Sequence, residues 1–326
     1  MAKRTLPKRL YKYRSFSNLT LGMLVEDTVY FADPSTFNDP LDTEPALDTD
    51  ISAEALEAIL SQMIEARTEA EMSAAAKTIR YRGPKTLDHI ARQSRRAAER
   101  LLADIRYNAT NPDYEMDDPE HFLLGQYVQE ELLRRYDKGV FSLAERANCP
   151  LMWSHYGDQH RGLCLGYSIP DAATGDIQKI RYGGGRLVQA SDVATMLTGD
   201  VEARHRVDEA VLLKKAKPWA YEREWRLIGP RGELDSPLEL EEVVFGMRCP
   251  SAVVYAVVQA LANRDRPVRF FEIHEQWGRF LLVKRTVDTN ELQASLPRRN
   301  RSFDHIFDDL TDIDPTSAQA GDHGAD

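Results

Sequence analysis

Cysteine, long apolar runs and a secretion signal are scarce or missing in this sequence. Its 326 residues include three cysteines, an odd number at distant positions, so a disulfide framework is not expected. No apolar run approaches the roughly 18 residues that a membrane-spanning helix needs. The basic N-terminus, MAKRTLPKRLYKYR, lacks the apolar segment of a signal peptide. These absences predict a protein of the reducing cytoplasm with no membrane partner.

Several motifs with a known chemistry are also missing. Gly183-Gly184-Gly185 is followed by Arg186-Leu187 instead of Lys and Ser or Thr, so it is not a phosphate loop. Ser154 lacks the flanking glycines of a nucleophile elbow. The paired spacing of a structural zinc site is absent from the thiols and imidazoles of this region, which are Cys149, His155, His160 and Cys164.

The charge of the chain is concentrated at one end. The formal net charge is −10, and seven Asp with no Lys or Arg lie in the segment 302–326. A segment with high net charge and few apolar residues cannot bury enough surface to fold by itself. We therefore predict an acidic and largely disordered tail over 291–326.

The hydrophobic pattern predicts an α+β fold. Strand-like runs begin the chain, helical periodicity follows from 52 to 137, and short strands with two more helices extend from 139 to 287. This order favours one core domain made from two chain segments with helices inserted between them. The predicted parts are a core of 1–50 plus 139–290 and a helical insertion of 51–138.

Two glutamates stand out in Tyr-Glu-Arg-Glu-Trp-Arg, residues 221–226. On a strand, Glu222 and Glu224 would face the same side, with Arg223 opposite. Carboxylates this close repel, so one should have a raised pKa unless cations compensate. That arrangement suits a general base or a group that orients a sugar hydroxyl. The alternative is an edge strand that faces solvent and carries ordinary charge pairs.

Other charged side chains allow further interpretations. Arg92, Arg96 and Arg100 lie four residues apart on one predicted helix face of the insertion, which fits either a phosphate backbone or solvent. A metal-dependent nuclease or phosphodiesterase is a second possible function, because the chain holds carboxylates and imidazoles of the kind that bind divalent cations. Its candidate ligands are Asp39, Asp42, His155, His160 and Glu224.

Four sequence blocks occur together in the order LYKYRS (10–15), VYFADPSTFNDPLD (29–42), WSHYGDQHRGLCLGY (153–167) and YEREWR (221–226). Together they resemble a widespread bacterial domain family of unknown function. The opening blocks are also similar to ADP-ribosyltransferase-like domains, which bind NAD in a cleft between two small sheets. The resemblance implies ADP-ribosyltransferase-like split β-sheets with a helical insertion. It further implies an enzyme that cleaves the nicotinamide–ribose bond of NAD, such as a toxin or an anti-phage defence effector.

The resemblance also implies roles for individual residues. Glu224 would be the late glutamate of the family, with Glu222 before it in a Glu-x-Glu pattern and His155 as a third catalytic group. The implied cofactor-binding residues are Tyr13, Arg14, Asn38, Asp39, Ser154, Tyr156 and His160.

The sequence departs from the family pattern at two positions. Lys12 stands where some members carry a histidine, and Ser154 lacks the Ser-Thr-Ser run of the Arg-first subclass. The acceptor would be a protein, a nucleic acid or water, chosen through the basic insertion. A non-catalytic binding module of a defence system is a third possible function.

Overall fold

The structure is a computed structural model, and it describes residues 6–78, 86–136 and 138–298. None of the helices in these ranges is both long and apolar enough to cross a membrane. Most of the segment predicted to be a disordered tail, 299–326, lies outside the described residues.

The strands of the described residues are short and are spread along the whole chain. In chain order they are β1 (Leu10–Arg14), β2 (Thr28–Phe31), β3 (Ala46–Asp48), β4 (Gly139–Ala144), β5 (Leu163–Ser168), β6 (Ile177–Lys179), β7 (Arg181–Tyr182), β8 (Leu187–Gln189), β9 (Lys214–Lys215), β10 (Glu224–Gly229), β11 (Gly232–Asp235), β12 (Glu239–Phe245), β13 (Arg269–Glu275) and β14 (Leu282–Thr286).

The helices occupy the stretches between these strands. They are α1 (Asn18–Glu26), α2 (Ala53–Thr78), α3 (Thr86–Ala109), α4 (Pro119–Arg135), α5 (Pro150–His155), α6 (Ala190–Leu197), α7 (Val201–Leu212), α8 (Ser251–Ala260) and α9 (Thr289–Ser295).

Local sequence explains where several helices begin and end. The pair Asp118-Pro119 predicts a capped helix start, and in the structure Asp118 accepts a hydrogen bond from the backbone N–H of His121 while Pro119 occupies the first turn of α4. The hydrophobic pattern predicts a single helix near 192–216, but the structure has α6 and α7 in its place. Gly199 lies between them with φ of 95°, a conformation that ends a helix, and Asp200 then caps α7.

Eight strands form one mixed sheet in the order β14-β13-β12-β5-β1-β4-β10-β6. Its neighbouring strands are antiparallel except for β12 and β13, which are parallel and joined through α8. Three two-stranded pairs, β2 with β11, β3 with β8 and β7 with β9, complete the described strands. The predicted α+β class is confirmed. The split sheets of ADP-ribosyltransferase-like folds are not confirmed, because one continuous order connects the eight strands.

The sheet is nevertheless almost divided between β1 and β4. These strands pair at Tyr11 and Ala144 alone, whereas β1 matches β5 over its full length and β4 matches β10 over its full length. Beyond the single pair, β1 and β4 diverge, and Val140 of β4 pairs instead with Ala32. The divergence separates a five-stranded part from a three-stranded part.

Three hydrophobic clusters stabilise this arrangement. One cluster covers one face of the large sheet and includes Leu10, Phe141 and Trp225. A second fills the space among α2, α3, α4, α6 and α7. The third lies on the opposite face of the sheet around Tyr13 and the fully buried Trp153. The predicted division into a core domain and a helical insertion stays a prediction.

Candidate functional site

A cavity of about 330 Å³ lies where β1 and β4 diverge. Its wall is built from both strands, from the turn that follows β2, from α5 and from the 3-10 turn Lys217–Glu222. A volume of this size is at the small end of the roughly 300–1,000 Å³ that ligand pockets span. The polar and charged residues of the wall are Tyr11, Lys12, Tyr13, Thr36, Asn38, Asp42, Ser142, Tyr156, Lys215, Glu222 and Glu224.

The two glutamates reach the cavity by a route that the sequence did not predict. Glu222 ends the 3-10 turn, and Arg223 follows with φ of 48°, in the left-handed region, before Glu224 begins β10. The prediction that both residues belong to one strand is therefore wrong. The alternative of a solvent-facing edge strand is also wrong, because both side chains are buried and β10 lies between β4 and β6.

A single ammonium group holds the two glutamates together. Lys215 Nζ lies 2.7 Å from Glu222 Oε2, 3.0 Å from Glu224 Oε2 and 3.3 Å from Asp42 Oδ2. Burial alone would lower the pKa of Lys215, but the surrounding carboxylates outweigh it and raise that pKa above its usual value. Lys215 therefore stays charged and offsets the repulsion between the glutamates.

Arg226 supplies the second buried cation. Its guanidinium is fully buried, and Nη2 lies 2.8 Å and 2.6 Å from the two carboxylate oxygens of Asp42. Nε donates to Glu224 Oε1 at 2.8 Å, and Nη1 donates to the carbonyl of Leu212 at 2.8 Å. A planar guanidinium can serve several acceptors at once, which is what a charge removed from water requires.

These contacts give the two glutamates different protonation behaviour. Burial raises the pKa of Glu222 above its ordinary value, although Lys215 acts in the opposite direction. Burial would also raise the pKa of Glu224, but Arg226 and Lys215 overcome it and lower that pKa to about 2. Near neutral pH Glu224 is thus an anion inside the network, and Glu222 is the carboxyl group that can more readily exchange a proton.

Tyr156 joins Glu222 to the turn after β2. Its hydroxyl donates to Glu222 Oε1 at 2.7 Å, and Asn38 Nδ2 donates to the same hydroxyl oxygen at 3.2 Å. Burial, followed by the contact with Glu222, raises the pKa of Tyr156 above its usual value, so the hydroxyl keeps its proton. Glu222 is therefore fixed from one side by a hydroxyl and from the other by an ammonium.

Lys12 is a site residue to which the sequence assigned no role. Its Nζ donates to the backbone carbonyl of Ser142 at 3.0 Å, across the gap between β1 and β4, and lies 4.9 Å from the centre of the Phe141 ring. Burial, assisted by Arg14, lowers the pKa of Lys12 to about 8. The sequence signal that could have identified Lys12 as a site residue is its position in the first block, where similar domains carry a histidine.

The structure brings together five of the residues that the sequence predicted for the site. They line the same cavity, and Tyr13 also makes an edge-on ring contact with Trp153. The five are Tyr13, Asn38, Tyr156, Glu222 and Glu224.

The other predicted residues lie outside the cavity wall. Arg14 donates to the sulfur of Met23, and Asp39 accepts a hydrogen bond from the indole of Trp219 at 2.7 Å. Ser154 and His155 are exposed, and the His160 ring stacks on Trp153. We therefore leave these five residues out of the site: Arg14, Asp39, Ser154, His155 and His160.

The segment that follows His155 forms a tight turn. Three successive residues without a glycine among them, Asp158, Gln159 and His160, have φ between 49° and 70°. The chain then passes so close to β1 that a Cβ on Gly162 would lie 2.1 Å from the carbonyl oxygen of Arg14. This tight turn connects α5, which Tyr156 directly follows, to β5.

The proposed metal ligands do not form a common site. No group of three or more His, Cys, Asp or Glu side chains within the described ranges is arranged to hold a metal ion. The Asp42 carboxylate accepts hydrogen bonds from Arg226, and the Asp39 carboxylate accepts one from the indole of Trp219. The positions expected for a metal ion beside the carboxylates are taken by the side chains of Lys215 and Arg226.

The site thus defines an α+β protein with a carboxylate-lined cavity built on a buried network of alternating charges. Residues 152–227 match the model of the family described as Protein of unknown function (DUF2971), which confirms the resemblance to a domain family of unknown function. The matched segment contains Tyr156, Lys215, Glu222, Glu224 and Arg226, so most of the network lies within it. No curated protein and no solved structure matches the chain.

Proposed function

We propose that this protein is an ADP-ribosyltransferase-like enzyme, which binds NAD in the cavity and cleaves the nicotinamide–ribose bond. The observation that carries the proposal is the environment of Glu222. This carboxyl group lies on the cavity wall, fixed between Tyr156 and Lys215. The near division of the sheet between β1 and β4 supports it as well, because the cavity lies between two groups of strands.

Glu222 has the chemistry that this cleavage requires. Loss of nicotinamide leaves positive charge on the anomeric carbon of the ribose in the transition state. A preoriented carboxylate that accepts a hydrogen bond from a ribose hydroxyl stabilises that charge. Glu224 supports Glu222 indirectly, because Lys215 contacts both carboxylates and Arg226 holds Glu224 in place. We assign Glu222 to the ribose and Glu224 to the positioning of Glu222.

The rest of the wall fits the nicotinamide end of the substrate. The pyridinium ring of NAD is positively charged, and aromatic faces attract cations. Tyr13 and Tyr156 supply aromatic rings to the wall. Because the cavity volume is about 330 Å³, we assign the nicotinamide and its ribose to the interior and the adenosine half to the surface outside it.

The acceptor site is assigned to the exposed face of α3. Of the five exposed arginines on this helix, four form no ion pair with a described residue, whereas the fifth, Arg106, pairs with Glu57 and Glu120. Like charges three or four residues apart repel, so an anionic acceptor would relieve that repulsion. Both an acidic protein and a nucleic acid meet this requirement. The four residues are Arg92, Arg95, Arg96 and Arg100.

Release of nicotinamide from NAD tests the proposal. We expect release by the wild-type protein, in the presence of a chelator and of cell extract as an acceptor source. Glu222→Gln should lower the rate by about a hundredfold or more, as for other groups that stabilise transition-state charge. Glu202→Gln, an exposed change in the first turn of α7, is the matched control and should release nicotinamide like the wild type.

Two results would reject the proposal. One is the absence of nicotinamide release from the wild-type protein under these conditions. The other is release that Glu222→Gln leaves unchanged. Hydrolysis of nucleic acid that requires added manganese or magnesium would instead support the metal-dependent alternative.

A further inference from the structure

Lys12 differs from the other cation of the cavity wall in what surrounds it. Lys215 contacts three carboxylates, whereas Lys12 forms no ion pair with a carboxylate among the described residues. Its one hydrogen bond goes to the carbonyl of Ser142, and the Phe141 ring covers it on one side. The charged groups that act on it are Arg14 and Lys215, which disfavour its charge, and Glu222 and Glu224, which favour it.

This environment raises the share of neutral amine. Burial lowers the pKa of Lys12 to about 8, so the ammonium still predominates near neutral pH but roughly one side chain in ten is unprotonated. An ordinary lysine, with a pKa near 10.4, has only about one neutral amine per thousand at the same pH. A neutral lysine amine in a cavity is a nucleophile for carbonyl carbons.

We propose that Lys12 is a nucleophile of the cavity, and that its amine condenses with the aldehyde carbon of an open-chain ribose nucleotide to form an imine. This inference rests on the proposed function for the source of the sugar. When water accepts the ribosyl group of NAD, the product is ADP-ribose, whose anomeric carbon opens to an aldehyde at C1. That carbon would then form in the cavity whose wall includes both Glu222 and Lys12.

The condensation can be completed with groups on the cavity wall. The nitrogen lone pair of Lys12 attacks C1, the carbonyl oxygen takes a proton, and Nζ releases one to give a carbinolamine. The carboxyl of Glu222, whose pKa is raised, then protonates the hydroxyl, which leaves as water. The nitrogen lone pair forms the C=N bond, which gives a protonated imine and leaves Glu222 as a carboxylate; one water is released, and no oxidant or reductant is consumed.

The test measures which lysine reacts with ADP-ribose. The full chain is incubated with ADP-ribose and cyanoborohydride, which reduces imines to stable secondary amines, and the modified peptides are quantified by mass spectrometry. We expect Lys12 to be labelled at least about tenfold faster than the exposed lysines Lys8 and Lys217 near neutral pH. The ratio should fall toward one near pH 10, where exposed lysines also become neutral.

Two controls make the result decisive. Lys12→Arg keeps a cation beside the Ser142 carbonyl but cannot form an imine, so it should lose this label and keep those at Lys8 and Lys217. Labelling of Lys12 at the same rate as both exposed lysines would overturn the proposal. Selective labelling by formaldehyde but not by ADP-ribose would overturn the assigned substrate class. Because ADP-ribose is added directly, the outcome does not depend on whether the protein cleaves NAD.

Discussion

Arg226 and Asp42 are 184 residues apart in the chain, yet the Arg226 Nη2 lies 2.8 Å and 2.6 Å from the two carboxylate oxygens of Asp42. This ion pair connects the turn after β2 to β10, and both side chains are buried. It also holds Glu224, because the same guanidinium donates to that carboxylate. The pair therefore determines how the glutamates are presented to the cavity.

Removal of the guanidinium should strongly destabilise the fold. Arg226→Met would leave Asp42 and Glu224 with Lys215 as their remaining buried cation, and an uncompensated buried charge costs about 3–5 kcal/mol. The free energy of unfolding in urea measures this loss. The matched control is Arg206→Met, which removes a surface ion pair with Asp192 and should leave the free energy of unfolding almost unchanged. Equal losses in the two variants would contradict the importance of the network.

The stability of the protein should depend on pH through Glu224. Its pKa falls from 4.5 to about 2 on folding, so the carboxylate stabilises the fold above about pH 4.5, and this contribution is lost as the pH falls toward 2. Glu222 has a raised pKa and acts in the opposite sense, because protonation at low pH favours its folded form. Glu224→Gln should therefore be less stable than the wild type at about pH 6, with a smaller difference at about pH 3. A difference that stays constant between these pH values would argue against this account.

Tyr156 should set the pH at which the proposed reaction becomes fast. Its hydroxyl lowers the pKa of Glu222, and the proposed reaction needs Glu222 ionised. Tyr156→Phe removes that hydrogen bond, so the acidic limb of the rate of nicotinamide release should move to higher pH, with a loss of stability of only about 1 kcal/mol. Tyr30→Phe, at an exposed position of β2, is the control and should leave the profile in place. An unshifted profile for Tyr156→Phe would separate Tyr156 from the chemistry.

Gly162 should tolerate no side chain. A Cβ at this position would lie 2.1 Å from the Arg14 carbonyl oxygen and 3.0 Å from that of Gly157, so the backbone must move. We expect Gly162→Ala to cost about 2 kcal/mol or more. Gly22→Ala is the matched control: it adds a methyl group in α1 with no heavy atom within 4 Å, and it should stabilise the protein by about 0.5–1 kcal/mol. Thermal unfolding of the two variants should show shifts of opposite sign.

Much of the secondary structure follows from local pattern. The β-prone runs at 10–14 and 28–31 predict two strands, and the structure has β1 and β2 at those positions. The strands β3 and β8 were not predicted, because three-residue strands that pair in parallel depend on a contact between residues such as Ala46 and Leu187. No local sequence pattern carries that information.

The sequence predicted only some of the site residues, because local pattern carries no information about which distant side chains meet in the fold. The pair Glu222 and Glu224 was evident from its spacing, and the need for compensating cations followed from their repulsion. The identity of those cations was not evident, since nothing in Lys-Lys-Ala-Lys (214–217) distinguishes Lys215, the residue that becomes buried. The resemblance implied a catalytic role for His155, but its side chain is exposed at the end of α5. The direction of a side chain near a helix end is set by tertiary packing.

A crystal structure of the protein with a non-hydrolysable NAD analogue tests the central claim most directly. We predict the nicotinamide ring inside the cavity between β1 and β4, with a hydroxyl of its ribose within about 3 Å of the Glu222 carboxylate. An analogue bound outside this cavity, or one whose ribose hydroxyls do not reach Glu222, would contradict the proposed function.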